Sequence, residues 1–406
     1  MGLALGANCA GEPAGSALSA RDGVRAGAAR EQAPAGPPGQ ATLRRVLSIG
    51  AREGDPRDLF GKIGGVAVSH TGDTLYVVDR LAAEVRAYSG STGAFLFAFG
   101  RRGRGPGEFE DPAAVVALPW NGRLAVWDPA LQRITVVSRD GAVLGTRALG
   151  DQRLLHPLPR LGRTIWRVRA FRDGWVMEVR SDPLRVPPPG QRGYLVRLDT
   201  AFQVVDTVLS FPVPQIRARH RESGGARWSA WDEPPLFSPQ PQWDLFEDGR
   251  IVYSPADAYD VRLYAAAGRL IRQVKRDVPR RPVTRGDRVQ LLDDALDEAT
   301  GGVRLPATVL EPLFRHRFAR TLPAIAGVLA APDGGFWVQR FDTRDDPRGR
   351  SRTWDVYDAD ARPLGSVRLP PATQPLLIAR RGIYALRRDA FRVESIEIYV
   401  PRPWPN

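Results

Sequence analysis

Short apolar stretches closed by turns follow one another along most of the chain, and their alternation of apolar and polar positions is typical of β-strands. A turn that contains glycine joins one apolar stretch to the next at six places, namely Gly72, Gly122, Gly174, Gly249, Gly334 and Gly382. Glycine supplies the positive φ that tight hairpins require. The pattern therefore predicts a succession of β-hairpins rather than long helices.

The chain also repeats itself. Residues 49–68 (IGAREGDPRDLFGKIGGVAV) align without gaps with residues 99–118 (FGRRGRGPGEFEDPAAVVAL) at an offset of 50. A period of about 40 to 50 residues built from short strands indicates the blades of a propeller. After the first five glycine turns, a third and a fourth strand are predicted within residues 84–100, 133–149, 194–211, 261–276 and 353–369.

The sixth unit contains only three predicted strands, at residues 376–380, 383–388 and 393–400. The same offset makes residues 42–50 equivalent to a fourth, outermost strand. Pairing of this N-terminal strand with the last unit would close the ring and leave no open sheet edge. The sequence thus predicts an all-β fold: a six-bladed β-propeller with four-stranded blades over residues 42–403.

The segment FGRRGRGPGEFEDP, followed by an apolar strand, a glycine turn and LYVVD or LAVWD, resembles the NHL repeat. The whole chain is similar to bacterial six-bladed propellers related to that family. Later units depart from the motif, because the positions of Asp79 and Asp128 correspond to Glu178 or Val179, Pro255, Arg340 and Arg387. The resemblance implies the fold alone, since the family includes lyases, sensor domains and RNA-binding proteins.

Residues 1–41 differ in composition from the rest, because Ala, Gly, Pro and Ser dominate and no hydrophobic period is visible. This predicts a flexible tail. Its start resembles the end of a bacterial lipoprotein signal around Cys9, although Asn8 stands where a small residue is expected and a start unrelated to export is the alternative. We therefore expect an extracytoplasmic monomer without a transmembrane segment, with Cys9 as the candidate lipidation site.

The 406 residues are 43% hydrophobic and 25% charged, which excludes general disorder. The net charge is +13, and only two of the 58 cationic residues are lysines. Such an arginine bias fits a GC-rich genome as well as a selected ligand. The charge alone therefore does not favour nucleic acid as a partner.

Three long links between predicted blades, at residues 150–163, 212–246 and 277–326, emerge on one face of the ring. Apolar residues recur at helical spacing in the third link, at Val289, Leu292, Leu296 and Ala299 and again at Leu310, Phe314 and Phe318. We expect two short amphipathic helices within about residues 285–320. They would form a small cap over the propeller mouth, either as a cover for a hydrophobic rim or as a mobile lid.

Arginines are frequent on the same face. Arg80, Arg180, Arg340 and Arg388 fall at the ends of second strands, and Arg101 and Arg102 lie on the GRRGRGPGEF loop. Converging guanidinium groups would bind a carboxylate or phosphate. Aspartates such as Asp79, Asp128, Asp342, Asp345 and Asp346 are interleaved, so ion pairs within the protein are the alternative.

Three tryptophans fall within the 212–246 link, namely Trp228, Trp231 and Trp243. Trp228 and Trp231 are candidates for stacking on a sugar or base, and anchoring of the long link to the rim is the alternative. We expect Trp127, Trp175 and Trp337, on predicted strands, to belong to the core of the blades.

No catalytic motif is present. The glycine-rich GRRGRGPG loop lacks the Lys-Ser/Thr of a phosphate loop, and His156, His220 and His316 lack the paired spacing of a zinc site. Only three asparagines occur, which argues against the calcium site of propeller lactonases. No catalytic residue, metal or cofactor is therefore predicted.

The leading hypothesis is a non-enzymatic binding module that holds an anionic small molecule, a peptide or a protein partner on its capped, arginine-rich face. One alternative is a metal-dependent hydrolase or lyase with its site in the propeller tunnel. The other is a protein that binds single-stranded RNA, for which affinity would fall steeply with salt.

Overall fold

The computed structural model describes residues 40–149, 163–181, 186, 188–223, 226–232, 234–300 and 317–401. Two strands, β1 (Gln40–Ala41) and β2 (Leu43–Ile49), precede the blades. Blade one consists of β3 (Ile63–Val68), β4 (Thr74–Asp79), β5 (Glu84–Ser89) and β6 (Phe95–Phe99). Blade two consists of β7 (Ala114–Ala117), β8 (Leu124–Asp128), β9 (Arg133–Val137) and β10 (Val143–Ala148). Blade three consists of β11 (Arg163–Phe171), β12 (Gly174–Ser181), β13 (Arg192–Leu198) and β14 (Val204–Pro212).

A hairpin of β15 (Arg217–Ser223) and β16 (Ala226–Asp232) precedes blade four, which consists of β17 (Gln242–Leu245), β18 (Ile251–Ser254), β19 (Asp260–Tyr264) and β20 (Leu270–Lys275). After helix α1 (Arg285–Thr300), blade five consists of β21 (Ile325–Ala330), β22 (Phe336–Phe341), β23 (Arg350–Tyr357) and β24 (Pro363–Arg368). Blade six contains β25 (Thr373–Ala379), β26 (Gly382–Arg388) and β27 (Glu394–Pro401). The six antiparallel four-stranded blades form a ring, as the sequence predicted.

The N-terminal strand closes the ring. β2 pairs antiparallel with β27, from Leu43 opposite Pro401 to Ile49 opposite Ile396, and it is the outermost strand of blade six. This confirms the predicted closure. β1 adds a short parallel pairing to β24 and lies in the last two residues of the predicted tail. The rest of that tail, including Cys9, lies outside the described residues.

The first hairpin turn of every blade uses the predicted glycine. All six glycines have positive φ, from 65° at Gly122 to 152° at Gly174. At Gly174 a Cβ atom would lie 2.1 Å from the carbonyl oxygen of Leu198, so a side chain is excluded by contact as well as by backbone conformation. These turns carry the chain from the innermost strand to the second strand of each blade.

The core lies between neighbouring blades, where apolar faces of adjacent sheets pack together. Trp175 stacks on Phe202 with ring centroids 4.7 Å apart, in a cluster that also contains Trp127. Trp337 is buried in the cluster between blades five and six. The three strand tryptophans are therefore core residues, as the sequence predicted.

Asp79 and Asp128, at equivalent positions of the repeated LYVVD and LAVWD motif, have the same structural role. Both are buried, and each accepts hydrogen bonds from backbone N–H groups on two sides of a loop corner. Asp79 accepts from Gly61 at 2.9 Å and from Leu81 at 3.1 Å, and Asp128 accepts from Glu110 at 2.7 Å and Leu131 at 3.1 Å. The two carboxylates thus hold the link that enters each blade against the link that leaves its second strand.

Helix α1 confirms the first of the two predicted helices. Thr284 and Asp287 exchange hydrogen bonds at its start, in the manner of a capping box. Leu292 is buried, but Val289 is 40% exposed, so the apolar stripe is narrower than predicted. The described side-chain contacts of α1 include those of Asp287 with Thr343 and of Asp294 with Arg348, which lie between the second and third strands of blade five.

The second predicted helix does not include Phe318. Leu310 and Phe314 lie outside the described residues, whereas Phe318 forms an isolated β-bridge with Leu236 and its ring packs on Phe237. The prediction was wrong at this residue because bridging to Leu236, distant in sequence, decides its conformation, while the spacing of a few apolar residues suits a helix equally well. Whether the 285–320 insertion acts as a lid stays a prediction.

Candidate functional site

The four arginines predicted at the ends of second strands each contact a carboxylate of the protein. In each case the Nε atom donates: Arg80 to Asp111 (2.8 Å), Arg180 to Glu178 (2.6 Å), Arg340 to Asp355 (2.9 Å) and Arg388 to Glu394 (2.8 Å). Arg80 and Arg340 pair bidentately. These hydrogen bonds raise the pKa of both arginines, so their charged forms are stabilised within the protein.

The two predicted loop arginines also have partners. Arg101 pairs with Glu108 at 2.8 Å, and Arg102 donates to the backbone carbonyl oxygens of Leu81 at 2.9 Å and Glu110 at 3.1 Å. Of the aspartates suggested by the sequence, Asp79 and Asp128 bind backbone amides. Asp342, Asp345 and Asp346 pair with arginines other than these six, namely Arg344, Arg368 and Arg350. The contacts favour the ion-pair interpretation of these arginines, and their role in ligand binding stays a prediction.

The three tryptophans predicted within the 212–246 link lie on two different elements. Trp228 and Trp231 lie on β16, and their side chains are outside the described part of the molecule. Trp243 does not belong to the insertion: it is on β17, the innermost strand of blade four. It is fully buried, and its Nε1 donates to Glu178 at 2.7 Å, so packing rather than ligand contact explains its presence.

The side chains of the three histidines considered for zinc all lie outside the described part of the molecule. His156 and His316 lie outside the described residues, and His220 is on β15 with its side chain outside them. Within the described ranges, no group of three or more His, Cys, Asp or Glu side chains is arranged to hold a metal ion. Nor does that part of the chain contain a helix long and apolar enough to cross a membrane.

A cavity of about 530 Å³ lies along the axis of the ring and is called the tunnel below. Its walls come from the innermost strands of the blades, and apolar side chains such as Val66, Val116, Leu245 and Leu377 cover much of them. Its described rim lies on the turns between first and second strands. This is the opposite face from the long insertions, because successive links of an antiparallel sheet alternate between its two ends.

One wall of the tunnel is charged. Arg167 and Arg169 project from β11, and Asp244 projects from the neighbouring β17. Both guanidinium groups approach the same oxygen of Asp244, at 3.3 Å from Arg167 and 3.5 Å from Arg169. The other Asp244 oxygen accepts a hydrogen bond from the backbone N–H of Ala330 at 3.0 Å. One carboxylate thus serves two cations through long contacts.

Arg167 has an unusual environment for an arginine. It donates to the carbonyl oxygen of Trp243 at 2.6 Å, and its guanidinium group lies 4.8 Å from the centroid of the Trp243 ring. Burial, together with the charge of Arg169, lowers the pKa of Arg167 to about 10, and Asp244 and Glu178 offset only part of the effect. The tunnel therefore contains a cation whose charge is poorly compensated.

Charge around the whole cavity is also unbalanced. Among the described residues, five arginines and two carboxylates line it: Arg139, Arg167, Arg169, Arg380 and Arg381 against Asp244 and Glu247. Arg381 is paired with Asp73 at 2.8 Å, outside the lining, and Arg139 donates to the carbonyl oxygen of Gly122. The remaining surplus favours entry of an anion.

Trp166 adds an exposed aromatic surface beside these charges. It is 54% exposed, lines the tunnel, and sits at the irregularity in the pairing of β11 with β12. The guanidinium group of Arg180 lies 3.9 Å from its ring centroid, so one ring face is covered by a cation. Arg180, predicted as a mouth residue, therefore also supports a tunnel residue.

Sequence reasoning missed Arg167, Arg169, Trp166 and Asp244. A weak signal was present, because the strand RTIWRVRAF places arginines where the innermost strands of blades one and two have only small or apolar residues. Recognising that strand as tunnel-lining requires the ring itself, since its partner Asp244 is more than seventy residues away.

Comparisons with known proteins identify the architecture. No family model matches the chain, and no curated protein matches it in sequence. The structure is similar to that of a DUF4221 family member from Bacteroides vulgatus, at 8% identity and a TM-score of 0.52, covering 89% of this chain and 99% of that one. This likeness shows the propeller fold alone.

Two further solved structures have TM-scores under 0.5. One is a Bacteroides fragilis protein that is inferred to be exported, at 10% identity and a TM-score of 0.48, covering 89% of this chain and 96% of that one. The other is a gluconolactonase from Xanthomonas campestris, at 12% identity and a TM-score of 0.43, covering 90% and 92% of the two chains.

Proposed function

We propose that this protein is a non-enzymatic binding module that holds an anionic small molecule in the tunnel of its propeller. The observation that carries the proposal is the contrast between two sets of arginines. Arg80, Arg180, Arg340 and Arg388 each have a carboxylate oxygen within 3 Å. Arg167 and Arg169, in contrast, share one oxygen of Asp244 at more than 3 Å. A cavity of about 530 Å³ is also within the usual size of small-molecule sites.

A variant that fills the tunnel tests this function. Val116 faces the cavity from β7, so Val116→Trp should occupy part of the space while leaving the blade core intact. The anionic dye 8-anilinonaphthalene-1-sulfonate should fluoresce with the native protein, and its affinity should fall at least about ten-fold in the variant. Val116→Phe, a smaller filling substitution at the same position, serves if Val116→Trp does not fold.

The mouth arginines provide the matched comparison. The triple variant Arg80→Ala, Arg340→Ala and Arg388→Ala should melt at a lower temperature because Asp111, Asp355 and Glu394 each lose one arginine partner, but it should bind the dye as the native protein does. Equal dye affinity in the native and tunnel-filled proteins would refute the tunnel site. Loss of dye binding in the triple variant would place the site at the mouth instead.

We further propose that the chain is an NHL-like propeller of an extracytoplasmic, lipid-anchored protein that acts as a monomer. The backbone-binding role shared by Asp79 and Asp128 supports the repeat assignment. The resemblance of the segment around Cys9 to a lipoprotein signal supports the anchor. Palmitate labelling of the native protein in a bacterial host, absent in Cys9→Ser, would be the expected result; labelling of neither protein would rule out the anchor.

A further inference from the structure

The chemistry of the tunnel walls indicates which anion the site takes. Resting on the proposed function, we infer that the ligand is a monoanionic amphiphile: a single carboxylate on an unbranched apolar chain. Its carboxylate would lie between Arg167 and Arg169, and its chain would lie along the apolar walls. The inference combines three observations: the local charge, the nature of the remaining walls and the shape of the cavity.

The local charge sets the number of negative charges that the ligand brings. Two guanidinium groups face one carboxylate, which leaves one positive charge on this wall. Hydrogen bonds between a guanidinium and a carboxylate are typically about 2.7–2.9 Å long, and both contacts with Asp244 are longer than that. A second carboxylate could therefore complete the geometry of both arginines without displacing Asp244 from the backbone N–H of Ala330.

The same protein provides an internal standard for this comparison. On the outer strands of blade three, Arg197 pairs bidentately with Asp206 through hydrogen bonds of 3.1 and 2.9 Å. In blade five, the Nε of Arg340 reaches Asp355 at 2.9 Å. Arg167 and Arg169 thus differ from these arginines, because they share one carboxylate oxygen and both lie more than 3 Å from it.

The other walls determine what the anionic group is attached to. Beyond the charged wall, the lining is largely Gly, Ala, Val, Leu and Ile, including Val66, Val116 and Leu377. A small hydrophilic anion would leave this surface in contact with water. An apolar chain would remove it from water, and each buried methylene would strengthen binding about four-fold.

The shape of the cavity favours a chain over a compact apolar group. The innermost strands run side by side along the ring axis, and the lining extends from Gly64 at the start of β3 to Gly72 beyond its end. On the wall formed by blade one, the cavity therefore extends along the strand direction. An extended chain fills such a space, with Trp166 as an apolar surface near the charged group.

Calorimetric titration with four compounds tests this ligand class. We expect decanoate to bind, octanoate to bind on the order of ten-fold more weakly, and decanol to bind at least about ten-fold more weakly than decanoate. Inorganic phosphate should bind more weakly than any of them. The difference between decanoate and octanoate measures the contribution of the apolar chain, and the difference between decanoate and decanol measures that of the carboxylate.

Two tunnel variants and one control locate the carboxylate. Arg169→Gln should weaken decanoate at least about ten-fold and leave decanol unchanged. Asp244→Asn should strengthen decanoate, because it removes the negative charge that competes for both arginines; a purely structural role for Asp244 would not produce this gain. Arg197→Gln, which breaks an ion pair of the same blade away from the tunnel, should change neither affinity.

The outcomes separate the ligand class from the function. If decanol binds as tightly as decanoate, or phosphate binds more tightly, the ligand class is wrong while the tunnel site stands, provided that the dye distinguishes Val116→Trp from the native protein. If the dye does not distinguish them, the proposed function fails as well. Unchanged decanoate affinity in both Arg169→Gln and Asp244→Asn would also overturn the inference, because the carboxylate would then lie elsewhere.

Discussion

At the scale of single residues, arginine has two different roles in this protein. Arg340 is held by a buried carboxylate, Asp355, which also accepts hydrogen bonds from Tyr259 at 2.7 Å and Arg276 at 3.0 Å. Such a network is satisfied within the protein and stabilises the junction of blades four and five. Arg167, in contrast, shares the carboxylate of Asp244 with Arg169 at more than 3 Å, and its charge is available to an incoming anion.

The pKa of Arg167 gives this difference a measurable consequence. Because burial lowers that pKa to about 10, the side chain loses its charge as pH rises through that value, while a ligand carboxylate stays ionised. Decanoate affinity should therefore be constant from about pH 7 to about pH 9 and fall above about pH 10. Calorimetric titration across this range, with decanol as the neutral control, measures the effect. A flat profile to about pH 11 would show that Arg167 does not contact the carboxylate.

At the scale of elements, the strands follow from local pattern and the insertions do not. Glycine turns and alternating apolar residues predicted most blade strands to within a few residues, because each blade repeats the same local pattern. The exception is β17, the first strand of blade four, which falls inside the link predicted at residues 212–246. The conformation of Phe318 could not be predicted in this way, since its bridge to Leu236 spans about eighty residues of sequence. Val289 is exposed for a related reason. Apolar spacing predicts a helix, but it does not show which side of that helix packs against the rest of the protein.

The closing strand β2 provides the prediction at this scale. Ile49 is buried in the cluster that joins blades one and six, whereas Val46, three residues earlier on the same strand, is 42% exposed. Ile49→Asp should reduce the free energy of unfolding by about 3 kcal/mol or more, because it buries a charge without a partner. Val46→Asp should change it by no more than about 0.5 kcal/mol. Urea denaturation measures both values, and equal effects would show that β2 does not close the ring.

At the scale of the whole molecule, the candidate site belongs to the ring and to no single blade. Arg167 and Arg169 come from blade three, Asp244 from blade four, Ala330 from blade five and the facing apolar wall from blades one, two and six. The sequence predicted the ring and its closure, but it directed attention to the face with the long insertions. That arginine-rich face is extensively paired within the protein, so the +13 surplus does not by itself locate a ligand.

The most direct test of the account is a crystal structure with a ligand that marks its own position. Crystals of the protein with 10-bromodecanoate should show the carboxylate within about 3 Å of the guanidinium group of Arg167 or Arg169, which is hydrogen-bond distance. They should also show the anomalous signal of bromine among the apolar side chains of the tunnel. Bromine located on the arginine-rich mouth or on the outer blade surface, with no ligand density in the tunnel, would contradict it.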